Sequence, residues 1–362
     1  MLNACIAIQY YVRQLSKSMK FISLSYLFLL LTSLSRKLLK VIVMFCLIIT
    51  IALIFPTQAK SDSYLENSIN LSLMYSGPVY NFGGGGLDID SAIQWMINQV
   101  RGCNSCREKV DVIVIRDSGS DAYNRPILAM DGVDSVETLI ISDRRDAQKH
   151  NIVDAIENAE VIFFAGGDQC QYLRNYRNTE VDKAVNSVIA KGGAVGGTSA
   201  GAMIQSNFVF NACSETVTSK TALNDPYEDI SLDEGLFYRQ KFQGTVIDTH
   251  FYERDRMGRL MTFVARLLRD GISDTALGIG IDEDTSLIVD KSGLAEVVGN
   301  GFVYFVLGDH LPEECNPQIP LTFSGFKIWK KGNGETFDLN HRPSIADYQV
   351  SVENGELDSS PY

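Results

Sequence analysis

Residues 194–205 read AVGGTSAGAMIQ and place one serine, Ser199, between Gly197 and Gly201. The G-x-S-x-G spacing is typical of a nucleophile elbow, a tight turn that joins a strand to a helix and exposes the serine hydroxyl. Glycine at both flanking positions gives such a turn room and conformational freedom. An apolar segment precedes this motif and a helix-like segment follows it, which favours a nucleophile over a plain turn. The sequence therefore predicts nucleophilic chemistry at Ser199.

A serine nucleophile requires a base, and the chain offers four histidines. His250 ends the strand-like segment TVIDTHF, and His310 follows the strand-like segment FVYFVLGD. His150 lies in a polar run, and His341 lies near the C-terminus. Catalytic triads occur in several unrelated chain orders, so spacing alone does not choose a base. Two sets stay open: Ser199 with His250 and Glu283, or Ser199 with His310 and either Asp282 or Glu283.

The other groups that the chemistry requires also follow strand-like segments. Asp282, Glu283 and Asp284 come directly after ALGIGI. One carboxylate is expected to orient the histidine, whereas a solvated turn explains the other two. Gly167 follows the segment VIFFAG, so its amide can complete an oxyanion hole with the amide of Ala200. Ala200 opens the helix of the elbow, where amides have no partner within the helix.

Apolar and helix-like segments alternate along the first half of the chain. VDVIVIR, VETLIIS and VIFF have the β-branched, apolar character of buried strands, and SAIQWMINQV, NIVDAIENA and TEVDKAVNSVIA show helical periodicity. This alternation predicts an α/β fold with a mostly parallel sheet between layers of helices. Ligands bind beyond the carboxyl ends of such strands. In the second half, AEVVGNGFVYFVLGD is predicted to be a hairpin.

The first 59 residues differ from the rest, since they contain six basic residues and no acidic one. Residues 41–55 form an apolar run followed by PTQAKSD, which indicates a secretory signal peptide cleaved after Ala59. The run is shorter than the roughly 20 residues that favour a membrane span, and an uncleaved anchor is the alternative. We therefore expect a leader over 1–59, a catalytic domain over 60–338 and a polar C-terminal tail over 339–362, in a secreted or periplasmic protein.

Charge and cysteine content limit the partners. The chain has a net charge of −12, and the part after residue 59 keeps 26 basic against 44 acidic residues. This acidic excess disfavours nucleic acid and anionic membranes as partners. Cys103 and Cys106 form a C-x-x-C pair, for which export favours a local disulfide over a redox or zinc role. We expect neither a metal nor a cofactor, and a homodimer stays open.

Four segments occur in order and at suitable distances: AGGDQ, GGTSAGAM, DTHFYERDRMGR and GIGIDEDT. Together they resemble the cyanophycinase family of serine peptidases, relatives of peptidase E (aspartyl dipeptidase), over roughly residues 76–338. The resemblance implies a three-layer α/β sandwich related to class I glutamine amidotransferases. It also implies hydrolysis of cyanophycin, a poly-aspartate chain bearing arginine on each side-chain carboxyl, with release of β-Asp-Arg dipeptides.

The resemblance also implies individual roles. Ser199 would be the nucleophile, His250 the base and Glu283 the acid that orients it, with oxyanion donors at Gly167 and Ala200. The positions implied to line the substrate pocket are Gln169, Asp248, Thr249, Arg254, Arg256 and Arg259. The arginines suit substrate carboxylates, and Asp248 suits a substrate arginine.

Thr249 departs from the family, because cyanophycinases usually have glutamine before the histidine. The departure leaves the three triad residues in place and bears on the substrate. Two other functions stay open: an exported binding protein that keeps the fold without catalysis, and an α/β-hydrolase-type esterase that pairs Ser199 with His310.

Overall fold

The structure, a computed structural model, describes residues 78–237 and 242–362, so the predicted leader over 1–59 lies outside the described residues. The described helices are α1 (Asp90–Arg101), α2 (Asn124–Leu128), α3 (His150–Asn158), α4 (Gln169–Tyr176), α5 (Glu180–Ala190), α6 (Ala200–Met203), α7 (Ser219–Asn224) and α8 (Met257–Arg269). The described strands are β1 (Val79–Gly83), β2 (Val110–Arg116), β3 (Val133–Ile140), β4 (Val161–Phe164), β5 (Ala194–Thr198), β6 (Phe208–Phe210), β7 (Leu232–Glu234), β8 (Thr245–Thr249), β9 (Ala276–Ile281), β10 (Thr285–Val289), β11 (Leu294–Gly299), β12 (Val303–Gly308), β13 (Phe323–Lys331), β14 (Thr336–Asp338), β15 (Tyr348–Glu353) and β16 (Glu356–Leu357).

The first sheet has the strand order β14-β11-β10-β1-β5-β4-β2-β3. The five strands from β1 to β3 in this order pair in parallel, and β10, β11 and β14 extend the sheet in antiparallel fashion. All four residues of β4 are buried, as expected of a strand covered on both faces. The α/β class that the alternating segments predict is therefore confirmed.

Helices cover both faces of the parallel strands. On one face, Ile93 and Met96 of α1 pack with Val114 of β2 in one buried cluster. On the other face, Ile115 of β2 belongs to a cluster with Val185 of α5. Each helix buries one apolar stripe, because its apolar residues recur at a spacing close to 3.6. The result is a helix–sheet–helix sandwich of three layers, with the carboxyl ends of β1, β2, β4 and β5 at one edge.

A second sheet has the order β16-β15-β13-β12-β9-β8-β6-β7 and is mostly antiparallel, with parallel pairs only at β6–β8 and β8–β9 among the described strands. Almost every residue of helix α8 is buried. The predicted hairpin over AEVVGNGFVYFVLGD does not form, because β11 pairs with β10 and β14 in the first sheet, while β12 pairs with β9 and β13 in the second.

The segment over 339–362 also differs from the expected polar tail. Residues of β15 pair with β13, and β16 pairs with β15. The aromatic ring of Tyr362 packs against Phe251 and Tyr304, and its hydroxyl hydrogen-bonds Asp255 at 2.9 Å. The alternating pattern YQVSVE buries Val350 and Val352, which is the signature of a half-buried strand. This segment is therefore an edge of the second sheet.

No helix in the described part of the chain combines the length and apolar character needed to cross a bilayer.

The structure pairs Cys103 with Cys106, as the sequence predicts, and pairs Cys170 with Cys213, which the sequence analysis did not anticipate. Cys315 is buried and unpaired. The second bond ties the first turn of α4 to the loop after β6, and thus links the two sheets.

We expect that replacing both Cys170 and Cys213 with alanine lowers the free energy of unfolding by roughly 4 kcal/mol, since the bond closes a loop of 43 residues. The matched control replaces Cys103 and Cys106, whose separation is only 3, and should cost about half as much. Denaturant unfolding of the oxidised proteins measures both values. Equal losses for the two pairs would contradict the assignment of the long-range bond.

Candidate active site

Ser199 lies at the turn between β5 and α6. Its φ of 53° and ψ of −125° are values that residues with a side chain rarely adopt. A Cβ at Gly201 would lie 2.2 Å from the carbonyl oxygen of Phe164, and one at Gly197 would lie 2.7 Å from the carbonyl oxygen of Gly201. Because neither position tolerates a side chain, both glycines are required for the turn. The local backbone is that of the predicted nucleophile elbow.

His250 directly follows β8 and also has a positive φ, of 50°. Its backbone amide donates to the carbonyl of Gly84 at 2.7 Å, which ties the histidine to the loop after β1. The ring nitrogen Nε2 lies 2.7 Å from Ser199 Oγ, and Nδ1 lies 2.5 Å from Glu283 Oε1. The structure thus brings the three residues of one predicted set into a continuous hydrogen-bonded chain.

The glycines after β1 make the space for this ring. A Cβ on Gly85 would lie 2.2 Å from a ring carbon of His250, and φ at Gly85 is +98°. A Cβ on Gly86 would lie 2.3 Å from Asp284 Oδ1. The glycine run at 83–86 therefore packs directly against the histidine ring and the acidic turn. The sequence analysis assigned no role to this run.

The three consecutive acids have three different partners. Glu283 contacts the histidine, whereas Asp282 accepts the backbone amides of Tyr252 at 3.0 Å and Phe302 at 2.9 Å. Burial raises the pKa of Asp282 to about 6. Asp284 accepts the amide of Leu87 at 2.6 Å. Asp282 and Asp284 therefore fix the turn and the glycine run, and Glu283 alone of the three lies beside the imidazole.

The predicted oxyanion donors lie on the two turns that flank the nucleophile. Ala200 is the first residue of α6, so its amide has no acceptor within the helix. Gly167 follows β4, and a Cβ on its neighbour Gly166 would lie 3.5 Å from Ser199 Cβ. The turn that carries Gly167 therefore packs directly against the serine. Asp168 caps α4 by accepting the amide of Cys170 at 2.8 Å, which fixes this turn.

The environment of His250 favours the neutral form of its imidazole. Burial lowers the pKa of His250, and the positive charges of Arg254 and Arg256 lower it further, while the hydrogen bond to Glu283 opposes the shift. A neutral imidazole can accept a proton from a serine hydroxyl, whereas an imidazolium cannot. The site is therefore suited to base chemistry at pH values below those at which an ordinary histidine deprotonates.

We expect the acid limb of the kcat/KM profile to fall below the ordinary histidine pKa of about 6.5. Removing the cation in Arg254→Gln favours the imidazolium, so the pKa of His250 rises and the acid limb moves to higher pH. Arg269→Gln, at the exposed end of α8, is the matched control and should leave the limb in place. An acid limb that is identical in wild type and Arg254→Gln would contradict this electrostatic coupling.

A cavity of about 470 Å³ adjoins the turn after β4. Gln169, Arg254, Arg256 and Arg259 line it, and these are four of the residues that the family resemblance assigns to a substrate pocket. Arg254 is exposed and, among the described residues, forms no ion pair, so its guanidinium is available to an anionic ligand. Guanidinium groups bind carboxylates through paired hydrogen bonds. The cavity is therefore suited to a carboxylate ligand.

Asp248 and Thr249, which the resemblance places among the substrate contacts, are fully buried and do not line this cavity. The Asp248 carboxylate is fully buried and accepts Arg259 Nε at 2.7 Å and Nη2 at 2.5 Å, with Arg256 Nη1 at 3.4 Å. These arginines lower the pKa of Asp248 against the effect of its burial. Asp248 therefore positions the arginines. Thr249 is also buried, and its Oγ1 has no hydrogen-bond partner.

The alternative base, His310, lies elsewhere. Its ring packs on Phe323 with a centroid distance of 4.6 Å, and Nδ1 lies 3.0 Å from Asp309. It follows β12 in the second sheet, whereas the Ser199 hydroxyl contacts His250. The order that pairs Ser199 with His310 is therefore not the one that the structure assembles.

The chain is similar to several known proteins. The family model described as peptidase family S51 matches residues 127–297. A cyanophycinase from Nostoc sp. strain PCC 7120 is 28% identical over 216 residues, which cover 58% of this chain and 67% of the relative. One from Geminocystis herdmanii is 26% identical over 218 residues, covering 59% and 75%. A crystal structure of a peptidase from an acI-B1 Actinobacterium has a TM-score of 0.49 at 18% identity, covering 73% of this chain and 98% of that one.

The site places a serine hydroxyl, an imidazole and a carboxylate in line at the carboxyl edge of the sheet. Serine-type hydrolases use this arrangement. Together with the family match, it identifies the chain as a serine-type peptidase. The resemblance to the cyanophycinase family is thereby confirmed, since residues 127–297 match peptidase family S51 and the similar proteins described above are cyanophycinases.

Proposed function

We propose that Ser199, His250 and Glu283 are the catalytic triad of a peptidase that hydrolyses peptide or isopeptide bonds next to aspartate. The observation that carries this proposal is the line of contacts from Ser199 Oγ to His250 Nε2 at 2.7 Å and from Nδ1 to Glu283 at 2.5 Å. The arginine-lined cavity beside this line supports an acidic residue in the substrate.

In the proposed mechanism, His250 Nε2 takes the proton of Ser199 as its oxygen attacks the scissile carbonyl carbon. The amides of Gly167 and Ala200 hold the negative oxygen of the tetrahedral intermediate. Collapse of this intermediate breaks the C–N bond, and His250 returns the proton to the leaving amine. Water, deprotonated by the same ring, then hydrolyses the acyl-enzyme ester and restores the serine.

The substrate class follows from similarity to the relatives named cyanophycinase and from the pocket charges. We infer a cyanophycinase-like activity that releases β-Asp-Arg dipeptides, with Arg254 binding an aspartate carboxylate. Arg256 and Arg259 are held by the buried Asp248 and complete the positive wall of the cavity. A fixed cationic wall binds a carboxylate with little reorganisation of the protein.

The substrate is tested by incubating the protein, without residues 1–59, with cyanophycin, β-Asp-Arg oligomers and α-aspartyl dipeptides. Mass spectrometry then identifies the products. We expect β-Asp-Arg from the first two. Release of aspartate from the α-aspartyl dipeptides alone would instead assign a peptidase E type of specificity, and no product from any of the three would overturn the proposed function.

We also infer export of the chain. The basic and apolar leader supports this inference, and so does the pairing of four of the described cysteines, since disulfides persist in oxidising compartments. Sequencing the N-terminus of the protein recovered outside the cytoplasm tests the predicted cleavage after Ala59. Recovery of an intact leader in the membrane fraction would favour the anchored form.

A further inference from the structure

A second cavity, of about 480 Å³, contains none of the residues discussed above as substrate contacts. Its apolar lining consists of Leu87, Ile93, Ala122, Pro126, Ile127 and Met130. Its polar lining consists of Asp88, Asp90 and Tyr123. We call it the Asp88 cavity. It therefore combines apolar walls with two carboxylates and has no basic side chain in its lining.

The Asp88 cavity adjoins the catalytic turn. An interaction with the side chain of Thr198, the residue before the nucleophile, lowers the pKa of Asp88 against the effect of burial. Leu87, at the cavity rim, donates its amide to Asp284, which is next to Glu283. One lining residue, Asp88, thus interacts with the residue before Ser199. Another, Leu87, contacts the turn that carries Glu283.

The carboxylate of Asp88 has hydroxyl partners and lacks a cationic one. Tyr123 donates its hydroxyl to Asp88 Oδ2 at 2.7 Å. Within the described residues, Asp88 takes part in no salt bridge. Burial raises the pKa of Asp88, and the charge of Asp90 raises it further. Arg116 lies near Tyr123, but its guanidinium donates to the carbonyls of Ser118 and Ser120. Arg116 therefore leaves the carboxylate of Asp88 without a basic partner among the described residues.

We propose that the Asp88 cavity binds the cationic side chain, arginine or lysine, of a substrate residue next to the scissile bond. The aliphatic stem of such a side chain suits the apolar walls, and its charged end suits the carboxylate of Asp88. A divalent metal requires several oxygen ligands in one shell, which these largely apolar walls do not offer. The inference rests on the proposed function, because it assigns the second residue of the same substrate.

The proposal is tested with two β-aspartyl substrates that differ only in carrying arginine or its neutral isostere citrulline. We expect wild type to prefer arginine, and Asp88→Asn to lower kcat/KM for the arginine substrate roughly 30-fold while changing the citrulline substrate little. Asp121→Asn, which removes an exposed acid outside the cavity, is the matched control and should keep the preference. A lysine substrate distinguishes the two cationic side chains.

Equal losses on both substrates in Asp88→Asn would overturn the proposal, since they would assign Asp88 a structural role beneath Thr198. An unchanged preference would also overturn it. A second measurement is independent of turnover: calorimetric titration of the Ser199→Ala protein with L-argininamide, L-lysinamide and neutral L-norleucinamide. We expect only the two cationic amides to bind, and Asp88→Asn to weaken their binding. Binding of the two cationic amides by a protein that cleaves no aspartyl peptide would contradict the proposed function and would leave the Asp88 cavity as a cation site.

Discussion

Replacing Ser199 with alanine is expected to lower kcat by roughly 10⁵-fold, because the variant has no oxygen to form the acyl-enzyme. The substitution removes a single atom from a half-buried side chain, so the fold and the binding of substrate should persist. The measurement is single-turnover and steady-state hydrolysis of β-Asp-Arg oligomers, with thermal unfolding as the check on folding.

Ser206→Ala is the matched control for this loss, since Ser206 is a buried serine seven residues further along that donates to the carbonyl of Met203. It should keep near-normal turnover at some cost in stability. A fluorophosphonate probe should label the wild-type protein at Ser199 and fail to label Ser199→Ala. Full turnover by Ser199→Ala, or absence of labelling in wild type, would mean that the fold is retained without serine catalysis.

Replacing Gly85 with alanine is expected to lower kcat/KM by at least about 100-fold, although Gly85 carries no functional group. The new Cβ would lie 2.2 Å from the imidazole of His250, so the ring must leave its position between Ser199 and Glu283. The positive φ of +98° adds backbone strain to the same loop. Initial rates over a range of substrate concentrations separate the effect on kcat from that on KM.

Gly102→Ala provides the matched control for this second prediction. Gly102 also has a positive φ, of +70°, but a Cβ there would meet nothing within 4 Å. The control variant should therefore lose about 1 kcal/mol of stability and keep its activity. If Gly85→Ala and Gly102→Ala were equally active, the glycine run would not be what holds the imidazole in place.

The site could be predicted largely from the sequence because its residues stand in short motifs at strand ends. The resemblance to the cyanophycinase family favours His250 over His310, a choice that spacing leaves open. The burial of Asp248 and Thr249 could not be predicted in this way. In β8 all five residues are buried, and only the packed structure shows that the Asp248 carboxylate points to Arg259 beneath the cavity.

The parallel half of the fold follows from alternating strand and helix patterns, whereas the second sheet does not. The segment GIGIDEDTSLIV has two strand-like halves around a turn, yet β9 joins the second sheet and β10 joins the first. Local patterns specify that a residue is extended and buried, and they do not specify its partner strand. The pairing of β11 with β14 and of β13 with β15 connects distant parts of the chain for the same reason.

The crossing of the chain between the two sheets at Glu283 has a consequence for folding. Ser199 follows a strand of the first sheet, His250 follows a strand of the second, and Glu283 lies on the connection that passes from one to the other. Contacts between residues so far apart in sequence form slowly during folding, because long loops must close first. Recovery of hydrolytic activity after dilution from denaturant should therefore report the docking of the two sheets, and trail the return of helical circular dichroism.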